Sequence, residues 1–278
     1  MNIGIKFISP GGWFSLEYPA GWAEFEDTES TFLFYNPNKW CGNFRISAYK
    51  DASADYARQC IGMELKNNPT STSVKIGKWD CAYSAETFQE EGAWYTSHIW
   101  VTGEGNLSIE CSFTVAKGEA RTAAEDIIRT LHVRTAEDFR RKEIIPVRVA
   151  EIALINEAFD WTSTTIKKQL SKDFTSQESD LQRIQALIDS GRFRADQRQT
   201  WECLGLAFGT IIENEMDGME WVTVMDGKKE YPALRFKESS MIIDPANLIW
   251  EKIKLKQTCN LIEDYNHLRC EVESLLNK

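Results

Sequence analysis

The groups in this 278-residue sequence that could do chemistry are three histidines, seven cysteines and an excess of carboxylates. His98 has the most suggestive neighbours. It lies in a run of alternating residues, with Trp94, Thr96 and Trp100 sharing its parity, just before a second run from Leu107 to Val115. Closing that hairpin symmetrically about Glu104 pairs Val101 with Leu107 and Ile99 with Ile109. Tyr95, Ser97, Ile99 and Val101 then join the core. Trp94, His98 and Trp100 fall on the other face, with Glu110 opposite His98. Two indoles, an imidazole and a carboxylate would form a binding platform, and the carboxylate would favour the imidazolium. The commoner arrangement is a helix laid over such a face, and the exposure of Trp94 and Trp100 separates the two.

The other reactive residues form no constellation. Cysteines 41, 60, 81, 111, 203, 259 and 270 are odd in number, scattered and without a CxxC pair. Cys41, Cys81 and Cys111 sit within or beside apolar, strand-like segments and are expected to be reduced and buried. With His98, His132 and His267 they give no zinc spacing, so neither metal nor cofactor is expected. Glu213/Glu215 and Glu263/Asp264 are one or two positions apart on helices, where side chains do not face each other. GxSxG, Walker, HExxH and dinucleotide motifs are missing, and Gly11-Gly12 is a turn. The chain is not expected to be an enzyme.

Charge narrows the partners. Residues 1–136 carry 12 basic and 17 acidic side chains, and the remainder 20 and 25, so each half contributes −5 to the net −10. No basic stripe alternates with aromatics, which argues against nucleic acid. Arg140-Arg141-Lys142 is offset by Glu137, Asp138 and Glu143 and reads as a solvated helix face. The start, MNIGIKFISPGGW, lacks the apolar core of an export signal, and no apolar run is long enough to span a bilayer. A cytoplasmic, membrane-free protein is expected.

The hydrophobic period places these residues on elements. Phe14–Tyr18, Trp22–Phe25, Thr31–Tyr35 and Asn43–Lys50 read as strands. A helix over Ser53–Lys66, with Ser53 as its cap, precedes strands at Thr72–Trp79, Cys81–Phe88, Ala93–Val101 and Leu107–Val115. A helix over Gly118–Leu131, with Ala120, Ala124, Ile127, Ile128 and Leu131 inward, closes a first domain at 1–133. A second helix start at Thr135 should run to Phe159, kinked at Pro146, as a connecting helix over 134–158. Residues 159–278 then form a helix-rich domain. Its helices fit Ser176–Ser190, Arg194–Met216, Pro245–Lys254 and Thr258–Leu276, with short strands at Glu220–Met225, Ala233–Phe236 and Ser240–Ile243. Gly205 and Gly209 within one helix cost about 1 kcal/mol each relative to Ala, so another element is expected to approach closely there. The fold class is α+β in both domains: a twisted antiparallel sheet with flanking helices, then helices around a small antiparallel sheet.

Phe14-Ser-Leu-Glu-Tyr-Pro-Ala-Gly-Trp22, Phe32-Leu-Phe-Tyr-Asn-Pro37 and Phe44-Arg-Ile-Ser-Ala-Tyr49 resemble the opening of the Mog1/PsbP-like fold. Leu204-Gly-Leu-Ala-Phe-Gly209, Glu220-Trp-Val-Thr-Val224, Pro232-Ala-Leu-Arg235 and Ile242-Ile-Asp-Pro245 are similar to a second bacterial domain. Together the halves resemble a paired bacterial family of domains of unknown function, 3805 and 3806. The resemblance implies a fold and no catalytic residues. The expected function is that of a non-catalytic intracellular adaptor engaging another protein, in the manner of specialised secretion adaptors or toxin-neutralising proteins. The alternatives are an enzyme or small-molecule receptor with a site between the domains, and a homodimer.

Overall fold

The computed structural model describes residues 4–28 and 31–276. The chain divides into two compact units, 1–145 with 226–228, and 146–225 with 229–278. The boundary lies inside a strand, a dozen residues after the sequence break expected at 133.

The first unit contains β1 (Ile5–Ile8), β2 (Phe14–Tyr18), β3 (Ala23–Thr28), β4 (Thr31–Tyr35), β5 (Asn43–Lys50) and α1 (Tyr56–Asn67). It continues with β6 (Thr72–Ile76), β7 (Trp79–Glu90), β8 (Ala93–Glu104), β9 (Leu107–Ala116), α2 (Thr122–Thr130) and β10 (His132–Val133). A seven-stranded antiparallel sheet runs β3-β4-β5-β9-β8-β7-β6, and a three-stranded sheet runs β1-β2-β10. The pleat sends Phe32 and Phe34, Phe44 and Ile46, and Leu107 to Val115 at alternate positions into one core. Phe7 of β1 joins them with its ring 5.1 Å from Phe32, and α2 closes the layer with Ala124, Ile127 and Ile128. Ala120, expected inward, lies before the helix and is exposed.

Two expectations fail here. The connecting helix over 134–158 does not form: the chain makes a 3-10 turn at Asp138–Arg140 and then β11 (Glu143–Pro146). The start at Thr135 closes locally, its N–H and hydroxyl both donating to the Asp138 carboxylate at 2.7 and 3.0 Å. Pro146 ends the strand rather than kinking a helix, as its missing N–H permits. Helix formation starts only at α3 (Val149–Leu170). Cys41 is exposed, while Cys81 and Cys111 are buried.

The second unit continues with α4 (Leu181–Asp189), α5 (Arg198–Glu215), the strands β12 (Met219–Asp226), β13 (Lys229–Phe236) and β14 (Ile242–Ile243), then α6 (Pro245–Lys254) and α7 (Leu261–Leu276). Gly205 and Gly209 serve helix packing. A Cβ on Gly205 would press into the Pro245 carbonyl and stand 2.7 Å from Ala246 Cα, and one on Gly209 would meet the Trp221 indole at 2.5 Å. α6 begins as Pro245 predicts, with the Asp244 carboxylate accepting from the Asn247 N–H.

Candidate functional site

The turn joining β8 to β9 decides which residues can form a surface. Only Gly105 and Asn106 lie outside the ladder, so Glu104 pairs with Leu107, Val101 with Glu110, Trp100 with Cys111 and His98 with Phe113. This reverses the parity expected from closure about Glu104, and a change of parity exchanges the two faces of a strand. Gly103 permits the tight closure: its φ is +141°, and a Cβ there would collide with the Leu107 carbonyl and approach Ala57.

The four residues expected to form one platform are therefore divided. Trp100 is fully buried in the first unit's core. His98 shares its face, on the side closed by α2. Trp94 is 51% exposed near the β7–β8 tip, where the Lys117 ammonium lies 5.1 Å from its ring. Glu110 sits on the opposite face of the sheet, exposed and beside Val101 rather than His98.

His98 is held in a lock. Its Nδ1 is 2.8 Å from the Tyr83 hydroxyl with the two rings stacked, and the Arg121 guanidinium lies 4.1 Å from the centre of the Tyr83 ring. Arg121 Nε donates to Glu125 of α2 at 2.8 Å. Burial, then Arg121, lowers the His98 pKa, with Glu125 opposing. The imidazole is therefore biased to the neutral form, the reverse of what a facing carboxylate would do. Tyr83 and Arg121 were not singled out in the sequence. Their link to His98 needs the β7–β8 register, in which Ala85 pairs with His98 and Tyr83 with Trp100.

The face bearing Glu110 is different in kind. α1 packs on it over β7, β8 and β9. Between helix and sheet lies a cleft of about 220 Å³ whose walls include Tyr49, Tyr56, Met63, Glu64, Val101 and Glu110. The Asn68 side-chain amide donates to Glu64 at 2.7 Å. The Tyr56 pKa is raised, chiefly by its hydrogen bond with Cys60. Beyond α1 the same face carries Phe25, Leu33, Tyr35, Phe88, Tyr95 and Ile99, interleaved with Ser47, Ser97, Ser112 and Thr114. Phe25 is 54% exposed and the others are partly exposed. Trp40 stands edge-on to Tyr95 at 5.8 Å.

The second unit holds a buried charge cluster that spacing alone could have suggested, an Arg and a Glu three apart at the start of a helix. Arg148 pairs with Glu151 and, at 2.7 Å, with Glu230, while the Thr223 hydroxyl donates to Glu151 at 2.8 Å. Burial lowers the Arg148 pKa, but the two carboxylates outweigh it and the pKa is raised. These contacts satisfy one another and tie the start of α3 to β12 and β13, a structural role. Among the described residues no group of three or more His, Cys, Asp or Glu is placed to hold a metal ion. No described helix is long and apolar enough to cross a membrane.

Residues 3–156 match the model of the domain of unknown function DUF3805, and residues 180–265 match DUF3806. A crystal structure of a protein from Bacteroides thetaiotaomicron VPI-5482 is 50% identical, covering 96% of this chain and 98% of that one, with a TM-score of 0.92. Two structures match 48% of this chain. Cyanobacterial PsbP from Synechocystis sp. PCC 6803 is 12% identical over 94% of its own length, with a TM-score of 0.26. LpqN of Mycobacterium tuberculosis, a protein involved in cell envelope biogenesis, is 13% identical over 86% of its own length, with a TM-score of 0.30. No curated protein matches.

Proposed function

The chain belongs to the DUF3805 family, and we propose that it is a non-catalytic binding protein that engages another polypeptide through the open part of its seven-stranded sheet. One observation carries this reading: beyond α1, that face presents partly exposed aromatic and aliphatic side chains interleaved with hydroxyls. Aromatic anchors on a rigid sheet with polar neighbours are the composition of a reversible protein interface. A sheet also holds such anchors at fixed spacing, so little ordering entropy is lost on binding. The α1 cleft, at about 220 Å³, is smaller than the roughly 300–1,000 Å³ usual for small-molecule sites, which favours a surface over a substrate pocket. The scattered, unpaired cysteines support a reducing, cytoplasmic setting for this role.

Affinity capture from the native host with in-place cross-linking tests the reading. The expected result is a stoichiometric partner whose cross-links fall on β4, β5, β8 and β9, lost with Leu33→Glu or Tyr95→Glu. Ala85→Glu, an exposed change on the opposite face, should leave capture intact. Capture unaffected by both face variants refutes the reading. A second copy of this chain as the sole cross-linked species, with twice the 31.9 kDa mass by light scattering, would replace it with a homodimer.

A further inference from the structure

We infer that the cleft between α1 and the sheet is a recognition site for an arginine side chain of the bound polypeptide. The inference rests on the proposed binding role, because the cleft opens on the same sheet face, and it assigns that face a specific contact. The walls combine two kinds of group. Tyr49 and Tyr56 supply aromatic rings, one from β5 and one from the first turn of α1, and Met63 and Val101 supply apolar surface. Glu64 and Glu110 supply two carboxylates, again one from the helix and one from the sheet, and among the described residues no cationic side chain lines the cleft.

That pairing selects its occupant by chemistry. Carboxylates attract a cation, and tyrosine rings attract it again through their faces when it lies within about 6 Å. A guanidinium satisfies both at once, since it is planar, stacks on aromatic rings and donates to carboxylates in a fork. Its aliphatic stem matches the Met63 and Val101 surface, as such stems pack along apolar walls. A cleft of about 220 Å³ suits one side chain rather than a cofactor. An anionic or purely apolar occupant would leave the two carboxylates facing it without a counter-charge, which costs free energy when water is excluded. Glu64 is held by Asn68, so that wall is set before anything binds.

The test uses the full chain, labelled at Met and Val methyl groups, with N-acetylarginine methylamide as the probe. Met63 and Val101 report from inside the cleft. Saturable shifts of both in the millimolar range are expected, with Glu110→Gln and Glu64→Gln each weakening the response about tenfold, as loss of a charge-assisted contact does. N-acetylnorleucine methylamide, isosteric with the stem but uncharged, should produce no saturable shift. No cleft-confined response to the arginine probe, or an equal response to norleucine, overturns the inference, as does a response unchanged in Glu110→Gln. An equal response to the lysine analogue overturns the assignment to arginine. The two proposals fail separately: a partner captured through Leu33 and Tyr95 without a probe response sinks only this one. A probe response with capture indifferent to those residues sinks only the broader reading.

Discussion

Replacing Trp100 and Trp94 separately by alanine tests the register on which the choice of face depends. Trp100 is fully buried. An indole buries about 200 Å², and at about 25 cal/mol per Å² that gives about 5 kcal/mol as an upper bound. Its Nε1 is buried with no hydrogen-bond partner among the described residues, so truncation also relieves an unpaired donor costing about 1 kcal/mol or more. The expected net loss for Trp100→Ala is about 3–4 kcal/mol, within the range found for emptied aromatic sites. Trp94 is half exposed, and its contact with Lys117 is worth about 0.5–1 kcal/mol at such a site. Trp94→Ala should therefore cost about 1 kcal/mol. Urea titration read by hydrogen exchange in peptides within 79–116 confines the measurement to the first unit, which ten tryptophans spread over the chain would not allow by fluorescence. Equal losses for the two variants, or a loss below about 1 kcal/mol for Trp100→Ala, would refute the register and return both indoles to a common open face.

Two further outcomes follow from contacts elsewhere. Gly205→Ala should destabilise the second unit by about 1–3 kcal/mol through overpacking, because the added Cβ meets the backbone of Pro245 and Ala246, although Ala ordinarily improves a helix by about 1 kcal/mol. Slower exchange across 201–212 in that variant would contradict the packing described. Burial pushes the Asp138 pKa up, but the Thr135 N–H, His132 and the Thr135 hydroxyl outweigh it and hold the pKa at about 2, against an ordinary 3.8. Between those values the unfolded chain takes up a proton that the folded chain refuses. The stabilisation is thus complete above pH 3.8 and disappears as pH falls towards 2. Thermal unfolding of the wild type should lose more between pH 4.5 and 2 than that of Asp138→Asn, and parallel slopes would remove the carboxylate from the account.

What the sequence revealed, and what it hid, divides by the range of the interaction. Leu107 to Val115 alternate so regularly that the buried strand is visible, and Pro245 after Asp244 announces a capped helix. Gly205 and Gly209 signal close packing through their cost alone. The helix expected across Pro146 fails because Thr135 and Asp138 satisfy a tight turn as readily as a helix start, and local spacing does not distinguish them. The largest departure from expectation comes from the smallest feature. Closing the β8–β9 turn over Gly105-Asn106 instead of about Glu104 exchanged the faces of β8, sending Trp100 inward and leaving Glu110 apart from His98. A hairpin's composition suggests a turn but does not fix its parity when both faces carry aromatics. The α1 cleft was invisible for a different reason, since Tyr56 and Glu64 meet Glu110 only after a helix folds back over the sheet.

The composition of the open face also bears on the kind of partner it would hold. An obligate homodimer buries a surface close to a domain core in character, whereas a reversible interface is about as polar as the rest of a protein's exterior. Between Leu33, Tyr95 and Ile99 lie Ser47, Ser97, Ser112 and Thr114, and Arg45 and Glu110 stand on the same side of the sheet. Ser47 already bonds Thr31 at 2.8 Å and Thr114 donates to Ser97 at 3.3 Å, but permanently burying Ser112 and the Glu110 carboxylate would still require partner atoms from the other side, at about 1–3 kcal/mol for each left unmatched. The six aromatic and aliphatic side chains there supply anchors without supplying a core. On the proposed reading the face therefore suits a partner that leaves again, and the carboxylates of the α1 cleft would add selectivity more than strength. Raising salt should then weaken capture of an arginine-bearing partner by the wild type more than by Glu110→Gln, because screening acts on a charge the variant no longer has.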